Sequence, residues 1–401
     1  MDRASLLQIL DTGLGAADGR RCVREFLVSQ RPVGPLHLIA VGKAAAAMSL
    51  GALDVLGADV VDGYVVTRTG YGDPELASMP GIRLVESSHP IPDRLSLEAG
   101  EGLLAYAAAV KPGSGVIALV SGGASSLVEA LPEGVDACEL DRINRWLLGS
   151  GLDIFGVNAV RRRLSRIKDG RLAAALGGHP VFALYLSDVM GDDPAWIGSG
   201  LFQQTEVSLP EELPDWIAGI VHAGTPPPAP TAHVEHHVVG NLARVLDACE
   251  RNARSMGLEV TRHGQWLEGP VQEAAAQVVN QLDAGPVGIH LWGGETTMIL
   301  PADSGRGGRN QHLALCCAIS IEGRDDLAIL CSATDGTDGS GEDAGGLVDG
   351  GTIQRGRDGG ADPVTCLARA DSGTFLEASG DLIYTGPTST NVNDVVIGFK
   401  R

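Results

Sequence analysis

The stretch LHLIAVGKAAAAM, residues 36–48, decides the fold class. A short apolar run suits a buried strand, Gly42 supplies a tight turn, and Lys43 stands at the start of an alanine-rich helix. A helix N-terminus already offers unpaired amides and a positive partial charge, so a Lys there makes an anion pocket. The bland alternative is a solvated surface Lys. A Walker A loop is excluded, because G-x-x-x-x-G-K-[ST] needs Ser or Thr after the Lys and Ala44 follows here.

The same strand-then-helix pattern repeats outward. Apolar runs occur at HLIAVG, GYVVT, VIALVSGG, VFALYLSD, HHVVGN, GIHLWGGE, LAILCSATDG and DLIYTGPT, and amphipathic or Ala-rich stretches such as EAGEGLLAYAAAV and EAAAQVVNQL separate them. This alternation predicts an α/β architecture with largely parallel sheets, whose ligands bind beyond the carboxyl ends of the strands. The one clear composition break, AGTPPPAPTAHV at 223–234, carries prolines that continue neither a helix nor a central strand. It predicts two domains, 1–225 and 226–401, in line with a 401-residue chain.

Composition narrows the function. A hydrophobic share of 44% supports a large core, and a net charge of -20 disfavours nucleic acid and anionic membrane surfaces as partners. An anionic small molecule remains open to a few clustered cations. Seven scattered cysteines lack the spacing of a disulfide framework or a zinc site. The N-terminal residues lack the basic and apolar regions of a signal peptide, and no run approaches membrane-spanning length, which predicts a cytoplasmic protein.

Polar residues and glycines gather at the predicted strand ends. Ser121, Gly122 and Gly123 precede a helix carrying Ser125 and Ser126, where glycines let amides approach an anion. Arg161 to Arg171 form a basic helix, whose ordinary reading is a solvated face. Ser187, Asp188, Gly191, Asp192 and Asp193 close another strand, where a carboxylate either holds Mg²⁺, accepts a hydroxyl proton or caps the turn. Glu295 follows GG. Arg309 opens a helix after Gly305, Gly307 and Gly308, and a guanidinium fork suits phosphate or carboxylate oxygens. Asp335 and Asp338 end a further strand, and Thr388, Thr390, Asn391, Asn393 and Asp394 form a last polar cluster.

Taken together, GKAAAAM, HPIPDRLSLEAG, SGGASSLVEALPEG, VRRRLSRIKDGRLA, SDVMGDDP, GGETT, GRGGRNQHLAL, TDGTDG and TGPTSTNVND resemble the glycerate 2-kinase family, the class II glycerate kinases with a C-terminal MOFRL domain. The resemblance spans nearly the whole chain in the family's order. It implies a larger Rossmann-like N-terminal domain, a smaller α/β C-terminal domain and an active site in the cleft between them. It also implies ATP-dependent phosphorylation of D-glycerate to 2-phosphoglycerate, with ATP and Mg²⁺ as cofactors.

The catalytic residues so implied are Lys43, Asp188, Arg309, Asp335 and Asn391. Substrate or nucleotide binding is expected from Gly42, Ser121, Gly122, Gly123, Ser125, Asp192, Glu295, Gly307, Gly308, Asn310, Thr388, Asn393 and Asp394. Lys43 and Arg309 would stabilise the γ-phosphoryl oxygens or orient the glycerate carboxylate, and the amides near 121–123 would hold an anionic group. Of Asp188 and Asp335, one would accept the hydroxyl proton and the other place Mg²⁺. The sequence departs from the family at 198–202 (GSGLF for ASGPT), at Asp169 (for Gly) and around Gly269 and Pro270. Competing readings are a hydroxypyruvate reductase, which lacks a convincing G-x-G-x-x-G turn here, a kinase of a related hydroxy acid, and a non-catalytic binding module. Oligomeric state is left open.

Overall fold

The structure is a computed structural model, and it describes residues 3–150, 152, 154–205, 208–210, 212–223, 233–339 and 341–401. Its strands are β1 (Leu36–Val41), β2 (Val60–Arg68), β3 (Ile82–Ser87), β4 (Gly115–Val120), β5 (Val181–Leu186), β6 (Val234–Gly240), β7 (Val260–Arg262), β8 (Gly288–Gly294), β9 (Leu327–Ala333), β10 (Gly345–Asp349), β11 (Leu382–Ile383) and β12 (Asp394–Lys400). They form two six-stranded sheets in two compact units.

The first sheet has the order β3-β2-β1-β4-β5-β6, and the pairs β2/β3, β1/β2, β1/β4 and β4/β5 are parallel. Every residue of β1 is buried, and so are five of the six in β4. Such strands read as unbroken apolar runs because helices cover both faces. The order runs outward from β1 in one direction and from β4 in the other, so the sheet has its topological switch point between those strands. Their carboxyl ends carry the GK and SGG turns.

The second sheet overturns the expectation of parallel strands. Its order is β11-β10-β9-β12-β8-β7, with only β7/β8 parallel among the described pairs. Strand β12 runs antiparallel between β8 and β9, with Asp394 opposite both Gly294 and Ala333. The carboxyl ends of β8 and β9 and the amino end of β12 therefore share one edge.

The units also depart from the expected boundary. One unit is Gly19–Val239; the other joins Met1–Asp18 to Gly240–Arg401. The HHVVGN run supplies β6, the edge strand beside β5 in the first sheet, instead of opening a second domain. The helix Arg3–Ala16 belongs with Leu242–Ser255: a Cβ on Gly13 would lie 2.5 Å from Cys249 Sγ, and Arg244 Nε donates to Ala16 O at 2.5 Å. Most of the proline-rich stretch, residues 224–232, lies outside the described residues.

The basic run is not a solvated face. Arg162, Lys168 and Arg171 are 3%, 4% and 9% exposed. Lys168 Nζ meets Glu129 Oε2 at 2.5 Å, while Arg162 and Arg171 flank the buried Asp169 at 3.7 and 3.9 Å. The helix stops at Arg163, and a turn carries the chain into a second helix, Arg171–Ala175. Burial lowers the pKa of both arginines, partly offset by Asp169.

Candidate active site

At the switch point of the first sheet, two turns and the strand β2 are stitched together. Gly42 N–H donates to Val66 O at 3.1 Å, Lys43 N–H to Gly122 O at 3.0 Å, and Ala44 N–H to the Ser121 hydroxyl at 3.1 Å. Gly42 has φ +139, and a Cβ there would fall 2.1 Å from Ser121 Oγ, so only glycine permits this approach. Gly123 is left-handed, with φ +85. A Cβ on it would lie 3.1 Å from the His89 ring and 3.2 Å from Lys43 Cγ. The Lys43 stem and the His89 imidazole thus flank the SGG turn.

Ser125, in the short helix Ala124–Leu127, shares a 2.7 Å hydrogen bond with Ser199 Oγ. Strand β5 is parallel to β4, so Asp188, two residues beyond its end, lies at the same sheet edge. Asp188 is half-buried. The turn is capped by its neighbours: Ser187 Oγ accepts from Val189 N–H at 3.3 Å, and Asp193 Oδ1 from Ala195 N–H at 2.9 Å. Asp192 adopts φ +56 in the same turn.

The second unit gathers its own constellation at the shared edge of β8, β9 and β12. Arg309 opens the helix Arg309–Ser320, with Nη1 2.7 Å from Glu295 Oε1 and Nη2 3.8 Å from Asp394 Oδ2. Asp335 is buried, and its Oδ1 accepts from Thr337 N–H at 3.0 Å. Thr334 ties β9 to the last polar cluster: its Oγ1 donates to Asn393 O at 2.6 Å and accepts from Val392 N–H at 2.9 Å, and Thr388 Oγ1 donates to Thr334 O. These bonds hold Asn391 and Asn393, the latter with φ +71, beside the end of β9.

The glycines of GRGGR have a different job from the one expected of them. A Cβ on Gly308 would fall 2.3 Å from Asp338 Oδ1, and one on Gly307 2.8 Å from Ser372 Oγ. They admit protein atoms. Asp338 accepts from Asn310 N–H at 3.1 Å and Gln311 N–H at 2.7 Å, so its carboxylate already fills the helix N-terminus. Beside it, the Arg309 guanidinium lies between the Glu295 and Asp394 carboxyls.

Burial pushes the Asp338 carboxyl up to about 6 against the pull of its amide donors, and the Asp394 carboxyl up to about 8 despite Arg309. Both values lie above the ordinary value of 3.8, so protons bind more tightly to the folded chain. The stability these two carboxyls contribute is therefore fully present below about pH 4 and is lost as pH rises, through about 6 for Asp338 and about 8 for Asp394. The loss attributable to Asp394 should approach about 1.4 kcal/mol per pH unit inside that window. In Asp394→Asn the urea midpoint of the second unit should fall less steeply between pH 5 and about 8 than in the parent; an unchanged slope would show that Asp394 does not carry the effect.

Among the described residues, no three His, Cys, Asp or Glu side chains gather to hold a metal by themselves. Mg²⁺ in phosphoryl-transfer sites is commonly held by one or two carboxylates and the substrate's phosphates, without an all-protein cage. Asp188 and Asp335, each a single carboxylate at a strand end, suit that arrangement.

Residues 5–212 match a family described as a domain of unknown function, DUF4147, and residues 288–394 match the MOFRL family. A D-glycerate 2-kinase of Thermotoga maritima is 35% identical, the alignment covering 98% of this chain and 97% of that protein. The chain belongs to the glycerate 2-kinase family. A crystal structure of a glycerate kinase from the same organism superposes on it with TM-score 0.86 at 32% identity, over 99% of both chains. A relative from Agrobacterium vitis, 36% identical over 98% of this chain and 93% of its own length, carries the name putative hydroxypyruvate reductase.

Within this glycerate 2-kinase family member, the expected residues fall into two sets. Gly42, Lys43, the 121–125 turn, Asp188 and Asp192 share the first sheet's edge; Glu295, Arg309, Asp335, Thr388, Asn391, Asn393 and Asp394 share the second's. Gly307, Gly308 and Asn310 serve the seating of Asp338 and the neighbouring helix. Three residues escaped sequence reasoning: His89, whose HPIP motif gave a hint; Thr334, directly after the apolar run of β9; and Ser199, in a segment that departs from the family.

Proposed function

We propose that this chain transfers the γ-phosphoryl group of ATP to the 2-hydroxyl of D-glycerate. The observation that carries this reading is the full-length likeness to a D-glycerate 2-kinase, with Lys43 and the SGG turn set at the switch point of the first sheet. Phosphoryl transfer needs chiefly positioned reactants and fixed positive charge on the transferring oxygens. Lys43 and Arg309 supply the charge. The 121–125 turn holds an anionic group, Asn391 positions substrate, and either Asp188 or Asp335 accepts the hydroxyl proton while the other meets Mg²⁺. When bound, Mg²⁺ neutralises phosphate charge. The free thiols at all seven cysteines fit a reducing cytoplasm.

The reductase reading meets a local obstacle. The order of the first sheet is the one dinucleotide folds use, but the turn after β1 reads Gly42-Lys43-Ala44-Ala45-Ala46-Ala47. Ala44 and Ala47 occupy the second and third glycine positions of a dinucleotide turn, and β2 ends in Thr67-Arg68 where a ribose-binding acid is wanted. Purified protein given Mg-ATP and D-glycerate should release ADP and form 2-phosphoglycerate, identified by phosphorus NMR. Oxidation of NADH or NADPH by hydroxypyruvate, without ADP release from glycerate, would reverse the assignment.

Lys43→Ala should lower kcat/KM by about 10²-fold or more, the usual cost of removing a fixed charge-stabilising donor. The thermal midpoint should barely move, since Lys43 is half-buried and the packed residues behind it are Ala44 and Ala45. Near-parental turnover would remove Lys43 from the chemistry.

A further inference from the structure

The segment 195–205 follows Asp188 and Asp192 in sequence, and its backbone is costly. Gly198, Ser199 and Gly200 are successive residues with φ of 59, 60 and 68. Left-handed backbone is routine for glycine and unfavourable for serine, and such strain persists only where the surroundings over-determine it. A Cβ on Gly200 would fall 2.4 Å from Gln203 O, which makes glycine obligatory there.

The surroundings do over-determine it. Asp169 N–H donates to Ser199 O at 3.2 Å and Gly170 N–H to Gly200 O at 2.7 Å. Asp169 Oδ1 accepts from Thr205 N–H at 3.1 Å, and Arg162 Nη2 donates to Ala195 O at 2.7 Å. The Arg162 guanidinium also lies over the Trp196 ring, 4.5 Å from its centre. Leu201 and Phe202, where the family has other residues, are buried in the same core as Ala124 and Leu127. What the segment delivers from this frame is one hydroxyl: Ser199 Oγ, 2.7 Å from Ser125 Oγ.

We propose that Ser199 is a positioning residue, which orients Ser125 in the anion-holding turn, and that the buried Arg162–Asp169 cluster braces the segment that carries it. The inference rests on the reading of 121–125 as an anion-binding turn, for a carboxylate or a phosphate. It gives the buried basic run a function that a solvated face would not have: Arg162 acts through backbone carbonyls on a loop instead of meeting substrate itself.

A double-mutant cycle tests it. In Ser125→Ala and in Ser199→Ala, KM should rise about fivefold or more for the same substrate, D-glycerate or ATP, with kcat within about twofold of the parent. Titrating each substrate separately tells which anion the turn holds. Ser125→Ala/Ser199→Ala should be no worse than the poorer single variant, because each change removes the same bond. Multiplicative effects in the double variant, or a Ser199→Ala enzyme with parental KM, overturn the positioning role. A Ser125→Ala enzyme with parental KM for both substrates removes the anion-turn reading itself, and the proposal with it.

Arg162→Lys keeps the charge and loses the planar fork. Its KM should shift for that same substrate as in Ser199→Ala. A lowered thermal midpoint with an unmoved KM would reduce the cluster to a structural part and overturn the bracing claim.

Discussion

Replacing Arg309 by Ala should lower kcat/KM for phosphoryl transfer by about 10³-fold, within the range for an arginine that stabilises a transferring phosphoryl group. The fold should survive. Arg309 is half-exposed, and the group that would suffer most from its loss is the buried Asp394 carboxyl. That carboxyl already titrates at about 8, so without its cation it keeps its proton at neutral pH and leaves no unpaired buried charge. Activity and stability should therefore part company: a large kinetic loss with a thermal midpoint near the parent's. Arg309→Lys should recover only part of the rate, since an ammonium cannot span two oxygens as a guanidinium does. A variant that keeps a tenth or more of parental kcat/KM would take Arg309 out of the transition state.

The opposite separation is expected at Glu129. This carboxylate and Lys168 are each 4% exposed and meet at 2.5 Å. Glu129→Ala leaves an ammonium buried with its partner gone, a change that typically costs about 3–5 kcal/mol. In a unit of this size the thermal midpoint should drop by on the order of 10 °C. Glu129→Leu/Lys168→Met removes both charges at similar volume and should restore most of the loss, because desolvating two ions offsets much of their attraction. Urea melts of the three proteins decide it. A single variant as stable as the parent would mean that Lys168 reaches water in solution.

Much of the first sheet was legible in the sequence. Strands β1, β4 and β5 are buried on both faces, so each shows as an apolar run with its function-bearing residues just past the end. The GK, SGG and SD turns each follow such a run, and the parallel pairing of the strands sets them on one edge. Strand direction was not legible. DVVIGFK carries no mark that it runs antiparallel through the middle of the second sheet, because apolar content reports burial and says nothing of polarity.

The basic run misled for a related reason. Charge is local in sequence, whereas the partner that makes its burial tolerable, Glu129, lies 39 residues from Lys168. Gly307 and Gly308 were expected to bind substrate or nucleotide; what comes close to Gly308 is Asp338, a residue 30 positions away. Helix N-termini attract anions from inside the protein as well as from solvent.

The position of β12 sets a timetable for synthesis. All strands of the first sheet leave the ribosome before β7 begins, so that half has everything it needs while the rest is still being translated. The other half must wait, because its innermost strand is the last of the twelve to be made. Until then β8 and β9 have no strand to lie between them. Unpaired edges of this kind invite pairing with other chains, so the order of synthesis leaves β8 and β9 open to it until β12 follows.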